Sequence, residues 1–122
     1  MRKLETTTII FHQMDLQEFS DRCQETDNYT EEAKDKGVYF AGLSEETGEV
    51  LGKYKRMLRE DEGVLTEQRR REICLELGDV LWYVVAIYRM LGKDINEAAQ
   101  DLLDKLKSRQ QRGKIWGQGD DR

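Results

Sequence analysis

The sequence predicts an all-α fold, namely a four-helix bundle that assembles as an oligomer. The chain has 122 residues and no proline, so long helices can run without the break that a proline imposes. Apolar side chains recur at steps of three and four along four segments, which is the period of an amphipathic helix. Four such helices joined by short connections are typical of a bundle.

A single domain spanning residues 1–122 is expected, because a chain of this length can bury one moderate core. Residues 1–14 show no helical period and are predicted to form an N-terminal arm. Residues 15–112 are predicted to form the helical core. The glycine-rich and charged residues 113–122 are predicted to form a C-terminal tail.

The first two helices are predicted over residues 16–26 and 38–60. Asp15 is a candidate N-cap for the first, and Glu18 three residues later completes a capping-box pattern. The polar segment 27–37 is predicted to connect the two helices. The second helix carries apolar residues on one side and two acids followed by two bases on another.

The last two helices are predicted over residues 67–91 and 95–112. Thr66 and Asp94 are their candidate N-caps, and Gly92 is the candidate C-cap of the third helix. The apolar residues of the third helix cover a wide surface. This helix is therefore predicted to contact neighbours on two sides, at the centre of the bundle or in an oligomer interface.

Two pairs of acidic residues are the strongest chemical signal in the chain. Glu46 and Glu49 are three residues apart, as are Glu76 and Asp79, so each pair lies on one face of its helix. Both pairs have apolar neighbours in the sequence, and buried carboxylates need a partner or a metal. If the two helices lie antiparallel with these faces opposed, four carboxylates converge on a site for a divalent cation. The alternative is that both pairs lie on solvated faces.

The composition of the chain indicates which cations the site would bind and which classes of protein are disfavoured. His12 is the only histidine, so an all-oxygen site favours Mg²⁺ or Mn²⁺. The net charge of −5 argues against a nucleic-acid-binding surface. The longest apolar run, residues 80–87, is too short to cross a membrane. No signal-peptide pattern follows the first residues, and a cytoplasmic location is expected.

The segments around the two acidic pairs resemble those of a known family. Residues 42–50 and 76–83 closely resemble the motifs of the MazG-like all-α nucleoside triphosphate pyrophosphohydrolases, whose relatives include dCTP pyrophosphatases and dimeric dUTPases. The likeness extends over about residues 16–112. It implies Mg²⁺-dependent hydrolysis of (deoxy)nucleoside triphosphates to the monophosphate and pyrophosphate, as in nucleotide-pool house-cleaning. It also implies a homodimer or a homotetramer.

The resemblance further implies roles for particular residues. Glu45 is the candidate to orient or deprotonate the attacking water. The four implied magnesium ligands are Glu46, Glu49, Glu76 and Asp79. The four implied substrate-binding residues are Lys53, Tyr83, Lys105 and Arg109. The chain departs from the family pattern at Leu102, where members often carry an asparagine.

Several alternatives stay open at this stage. Lys53 either contacts phosphate oxygens or forms an intrahelical ion pair with Glu49. Tyr83 either stacks on a nucleobase or packs in the core. For the whole chain, the alternatives are a metal-dependent hydrolase of another phosphate metabolite or alarmone, and a non-catalytic helical interaction module.

Overall fold

The computed structural model describes residues 13–113, and in this range all regular structure is helical. Five α-helices follow one another along the chain: α1 (Leu16–Glu25), α2 (Glu31–Asp35), α3 (Val38–Glu60), α4 (Glu67–Met90) and α5 (Ile95–Gln111). The predicted arm and tail lie outside the described residues, apart from positions 13, 14 and 113. No helix of the described range is both long and apolar enough to cross a membrane.

The predicted all-α fold is confirmed, and the four long helices end within one residue of the predicted positions. Their caps explain this agreement. The Asp15 carboxylate accepts a hydrogen bond from the Glu18 backbone N–H, and the Thr66 hydroxyl does the same at the start of α4. Asp94 accepts from two backbone N–H groups at the start of α5. Each cap satisfies donors that would otherwise lack a partner.

The short helix α2 lies within the segment 27–37 that the sequence predicts as a connection. Thr30 caps it by accepting a hydrogen bond from the Ala33 backbone N–H. Glu31 and Glu32 lie in its first turn and Lys34 in its last, the order that favours a helix dipole. This charge order after a threonine was the signal in the sequence that identifies the helix.

Helix α4 is the central element, and it packs against α1, α3 and α5. Helix α3 lies antiparallel to it over most of its length, whereas α3 and α5 do not approach each other. At the turn between α3 and α4, Arg69 joins the two helices. Its Nε donates to Asp61 Oδ2 at 2.8 Å and its Nη1 donates to Glu72 Oε2 at 2.9 Å.

The hydrophobic core lies where α1 and α5 meet the C-terminal half of α4. Cys23, Val85 and Ile95 are buried there, with Trp82 among the side chains packed around them. Other apolar side chains of α3 and α4 remain exposed in a single chain: Phe40, Leu51, Tyr54, Leu58, Leu75, Leu77 and Leu81. The predicted contacts of α4 with neighbouring helices are present in the single chain. The predicted oligomer stays a prediction.

At Gly42, the ring of Tyr83 from α4 lies against the backbone of α3. A Cβ atom at position 42 would lie 2.2 Å from Cε1 of Tyr83, far inside van der Waals contact. The Tyr83 ring cannot easily move away, because its hydroxyl is hydrogen-bonded and the ring makes an edge-to-face contact with Trp82. Glycine is therefore required here for packing.

Replacing this glycine should test the close approach. We expect Gly42→Ala to lower the free energy of unfolding by about 1–3 kcal/mol, the usual cost of overpacking. Gly52→Ala is the matched control, because no atom lies within 4 Å of a Cβ there. That variant should gain roughly 0.5–1 kcal/mol from better helix propensity. Chemical denaturation measures both changes, and a Gly42→Ala variant as stable as the parent would contradict the packing described.

Candidate functional site

Three of the four predicted metal ligands meet between α3 and α4. Glu46 comes from α3, and Glu76 and Asp79 come from successive turns of α4. Each offers one carboxylate oxygen, and these oxygens all lie within 4.8 Å of one another. Glu46 and Glu76 are partly buried, whereas Asp79 is exposed. The antiparallel packing of α3 and α4 therefore brings these three acids together.

The other two acids of the first motif lie beside this group. Glu49 is exposed on α3 and is not among the three whose oxygens converge. Glu45 is also exposed and precedes Glu46 directly. The negative charges of both act on Glu46. Their predicted roles, as a metal ligand and as the residue that orients water, stay predictions.

The carboxylates make this an electrostatically unfavourable place for another negative charge. Burial raises the pKa of Glu46, and the negative charges of Asp79 and Glu76 raise it further. Within residues 13–113, Glu76 has one cationic neighbour: its Oε1 lies 3.8 Å from Nζ of Lys53, and about a fifth of each side chain is exposed. Lys53 therefore pairs across the two helices with Glu76, rather than along α3 with Glu49.

The donor set fits a hard divalent cation. All three converging groups are carboxylates, the ligands that Mg²⁺ and Mn²⁺ prefer. Two oxygens on opposite sides of a magnesium ion are about 4.2 Å apart. Oxygens on adjacent sides of the ion are closer, at about 3 Å, so the three carboxylates, whose oxygens are up to 4.8 Å apart, would draw together around it. The residues present can hold such an ion.

A cleft of about 400 Å³ opens beside two of these carboxylates. One part of its wall is acidic and belongs to α3 and α4. Another part is formed by aromatic side chains and by the segment that joins α1 to α2. The lining residues are Thr26, Asn28, Tyr29, Glu46, Asp79, Trp82 and Tyr83.

The aromatic part of the wall is held in place by hydrogen bonds. Nε1 of Trp82 donates to Oγ1 of Thr26 at 2.8 Å, and the hydroxyl oxygens of Tyr29 and Tyr83 lie 2.8 Å apart. The hydrogen bond to Tyr29 raises the pKa of Tyr83, and burial raises it further. Tyr83 is thus a neutral phenol that lines the cleft and packs against α3, and its stacking on a nucleobase stays a prediction.

The predicted phosphate-binding residues of α5 lie elsewhere in the single chain. Among the described residues, those that line the cleft include neither Lys105 nor Arg109. Lys105 lies in another surface pocket, between α4 and α5, together with Tyr88 and Leu102. Arg109 is buried, with 3% of its surface exposed. One chain therefore does not assemble them with the acidic cluster, and their phosphate contacts stay predictions.

The cleft includes three residues that no motif predicts: Thr26, Asn28 and Tyr29. They lie on the segment between α1 and α2, which contains no recognisable motif. The polar composition of this segment predicts a loop. It does not predict which part of the protein the loop contacts.

The chain is similar to a known protein family over a range that includes both acidic pairs. The family model described as the MazG nucleotide pyrophosphohydrolase domain matches residues 35–113. The Gene 37 protein of Mycobacterium phage L5 is 43% identical over 81 residues, which are 66% of this chain and 71% of that protein. No solved structure matches the chain. The residues that the family model matches include α3, α4 and α5, but not the segment that joins α1 to α2.

The raised pKa of Glu46 predicts how stability depends on pH without divalent ions. The folded protein retains a proton that the unfolded chain releases near the ordinary glutamate pKa of about 4.3. Stability is therefore lost as the pH rises from that value through the higher pKa of the folded state. The uncharged Glu46→Gln side chain should remove this loss.

Thermal unfolding in a chelator between pH 4 and pH 7.5 measures this effect. Glu46→Gln should gain stability relative to the parent as the pH rises. Asp21→Asn, a change to an exposed carboxylate of α1, serves as the control and should follow the parent. If the stability of the parent instead increased relative to that of Glu46→Gln as the pH rises, the carboxylates would not repel one another.

Proposed function

The chain belongs to the MazG nucleotide pyrophosphohydrolase family, and from this membership we propose that it hydrolyses (deoxy)nucleoside triphosphates to the monophosphate and pyrophosphate with Mg²⁺. The observation that carries the proposal is the convergence of Glu46, Glu76 and Asp79 at the cleft. An acidic cluster repels a triphosphate unless a cation lies between them. The same cluster is suited to bind that cation.

The metal would be held by the three converging carboxylates, with Glu49 as a further ligand from the exposed side of α3. A bound magnesium ion supplies positive charge to the phosphate oxygens and stabilises the charge that develops during phosphoryl transfer. Mn²⁺ has the same ligand preference and is expected to substitute.

The residues around the metal ligands have distinct proposed tasks. Glu45 is exposed next to Glu46 and would orient the attacking water or accept its proton. Lys53 lies against Glu76 and would contact a phosphate oxygen once a metal ion neutralises that carboxylate. The aromatic wall, including Tyr83, would hold the nucleoside.

Lys105 and Arg109 fit this proposal only in an assembly. Their helix α5 does not approach α3 within one chain, so a second subunit would have to bring them to the pyrophosphate. The exposed apolar side chains of α3 and α4 support a homodimer or a homotetramer, since exposed apolar patches often mark protein contacts. We further propose that the enzyme is cytoplasmic and removes unwanted nucleotides from the pool.

A panel of nucleoside and deoxynucleoside triphosphates tests the reaction. With Mg²⁺ we expect one pyrophosphate per monophosphate formed, and with excess chelator we expect neither. The panel should include diphosphate-linked metabolites and alarmones as competing substrates. Turnover confined to those compounds, or release of orthophosphate in place of pyrophosphate, would contradict the proposed reaction.

Substitution of single ligands tests the site. Glu46→Gln and Asp79→Asn should each lower kcat/KM by at least about a hundredfold, because metal-based charge stabilisation contributes several kcal/mol. Calorimetry should show weakened Mg²⁺ binding, while the helical circular dichroism spectrum persists. The exposed Asp21→Asn variant should keep full activity and metal binding. Full activity in both site variants would rule out the assigned ligands.

A further inference from the structure

One part of the cleft is built from residues that precede the family match. Thr26, Asn28 and Tyr29 line it, and the match begins only at residue 35. They lie next to Trp82 and Tyr83, which follow Asp79 by about one helical turn, or roughly 5 Å along α4. This part of the cleft therefore extends from the carboxylates towards the segment that joins α1 to α2.

The joining segment is held in position by Asp27. Only 5% of the Asp27 side chain is exposed. Its Oδ1 accepts a hydrogen bond from the Tyr29 backbone N–H at 3.1 Å, and its Oδ2 accepts one from the Tyr39 hydroxyl. Nη2 of Arg89 lies 3.8 Å from the same oxygen. The segment is therefore attached to both α3 and α4, and Asn28 has a defined place at the cleft.

Most polar groups in this part of the cleft are already engaged. The Thr26 hydroxyl accepts from Trp82 Nε1 and donates to the Cys23 carbonyl. The hydroxyls of Tyr29 and Tyr83 bond to each other. The carboxamide of Asn28, in contrast, makes no hydrogen bond to any residue in the range 13–113. It is the group that offers a donor and an acceptor side by side in one plane.

We infer that Asn28 reads the polar edge of the substrate's nucleobase, and that Tyr29 and Trp82 supply the apolar wall beside the base. This inference rests on the proposed function. A nucleobase has apolar faces and an edge that carries adjacent donors and acceptors. Aromatic side chains bind such faces, and a carboxamide pairs with such an edge through two hydrogen bonds. Asn28 is thus a specificity-determining residue, and Asp27 is the residue that positions it.

Asn28→Ala tests this inference, with Asn96→Ala on the exposed first turn of α5 as the matched control. The measurements are kcat and KM for triphosphates of the four bases, together with calorimetric binding of the four monophosphates. For the preferred base, Asn28→Ala should lose about tenfold in kcat/KM, the value of one or two neutral hydrogen bonds. The loss should appear mainly in KM, and the preference among bases should largely disappear.

Asn28→Asp keeps the shape of the side chain and removes its donor. Its preference should shift towards bases whose edge donates N–H. The exposed position of Asn28 predicts an unchanged thermal midpoint in both variants. Asn96→Ala should match the parent in every measurement.

The outcomes of this inference and of the proposed function are separable. A parent protein that hydrolyses no triphosphate defeats the proposed function, and the binding of monophosphates then decides the role of Asn28 alone. A parent that does not discriminate among bases in either measurement overturns the inference. The same base preference in Asn28→Ala as in the parent also overturns it.

Discussion

The antiparallel contact between α3 and α4 forces carboxylates together that would separate in water. Arg69 joins the two helices at one end of the contact, and Tyr83 packs against Gly42 further along. Between these points, the carboxylate oxygens of Glu46, Glu76 and Asp79 lie within 4.8 Å of one another. Burial raises the pKa of Glu46 in the folded chain, and the repulsion from Asp79 and Glu76 raises it further. The crowding of carboxylates that would favour a bound cation therefore destabilises the protein when no cation is bound.

Local features made much of this structure predictable from the sequence. The long helices followed from caps and apolar periods, which depend on residues only a few positions apart. The three converging carboxylates followed from a spacing of three residues on two adjacent helices. The position of the segment that joins α1 to α2 could not be predicted in this way. It depends on contacts of Asp27 with Tyr39 and Arg89, which are distant in sequence.

Not every residue predicted for the site lies with the three converging carboxylates in a single chain. Glu49 lies beside the converging oxygens rather than among them, although it shares a helical face with Glu46. Lys105 and Arg109 lie on α5, which contacts α4 but not α3. A motif indicates which side chains a family uses, whereas one chain shows only those that its own helices bring together.

The close approach at Gly42 links two positions that are 41 residues apart in the chain. The space that a methyl group would need at position 42 is occupied by the aromatic ring at position 83. A larger residue at position 42 is therefore accommodated only if the side chain at position 83 becomes smaller. Among homologous sequences, alanine or a larger residue at the first position should occur together with a smaller side chain at the second, as a correlated pair.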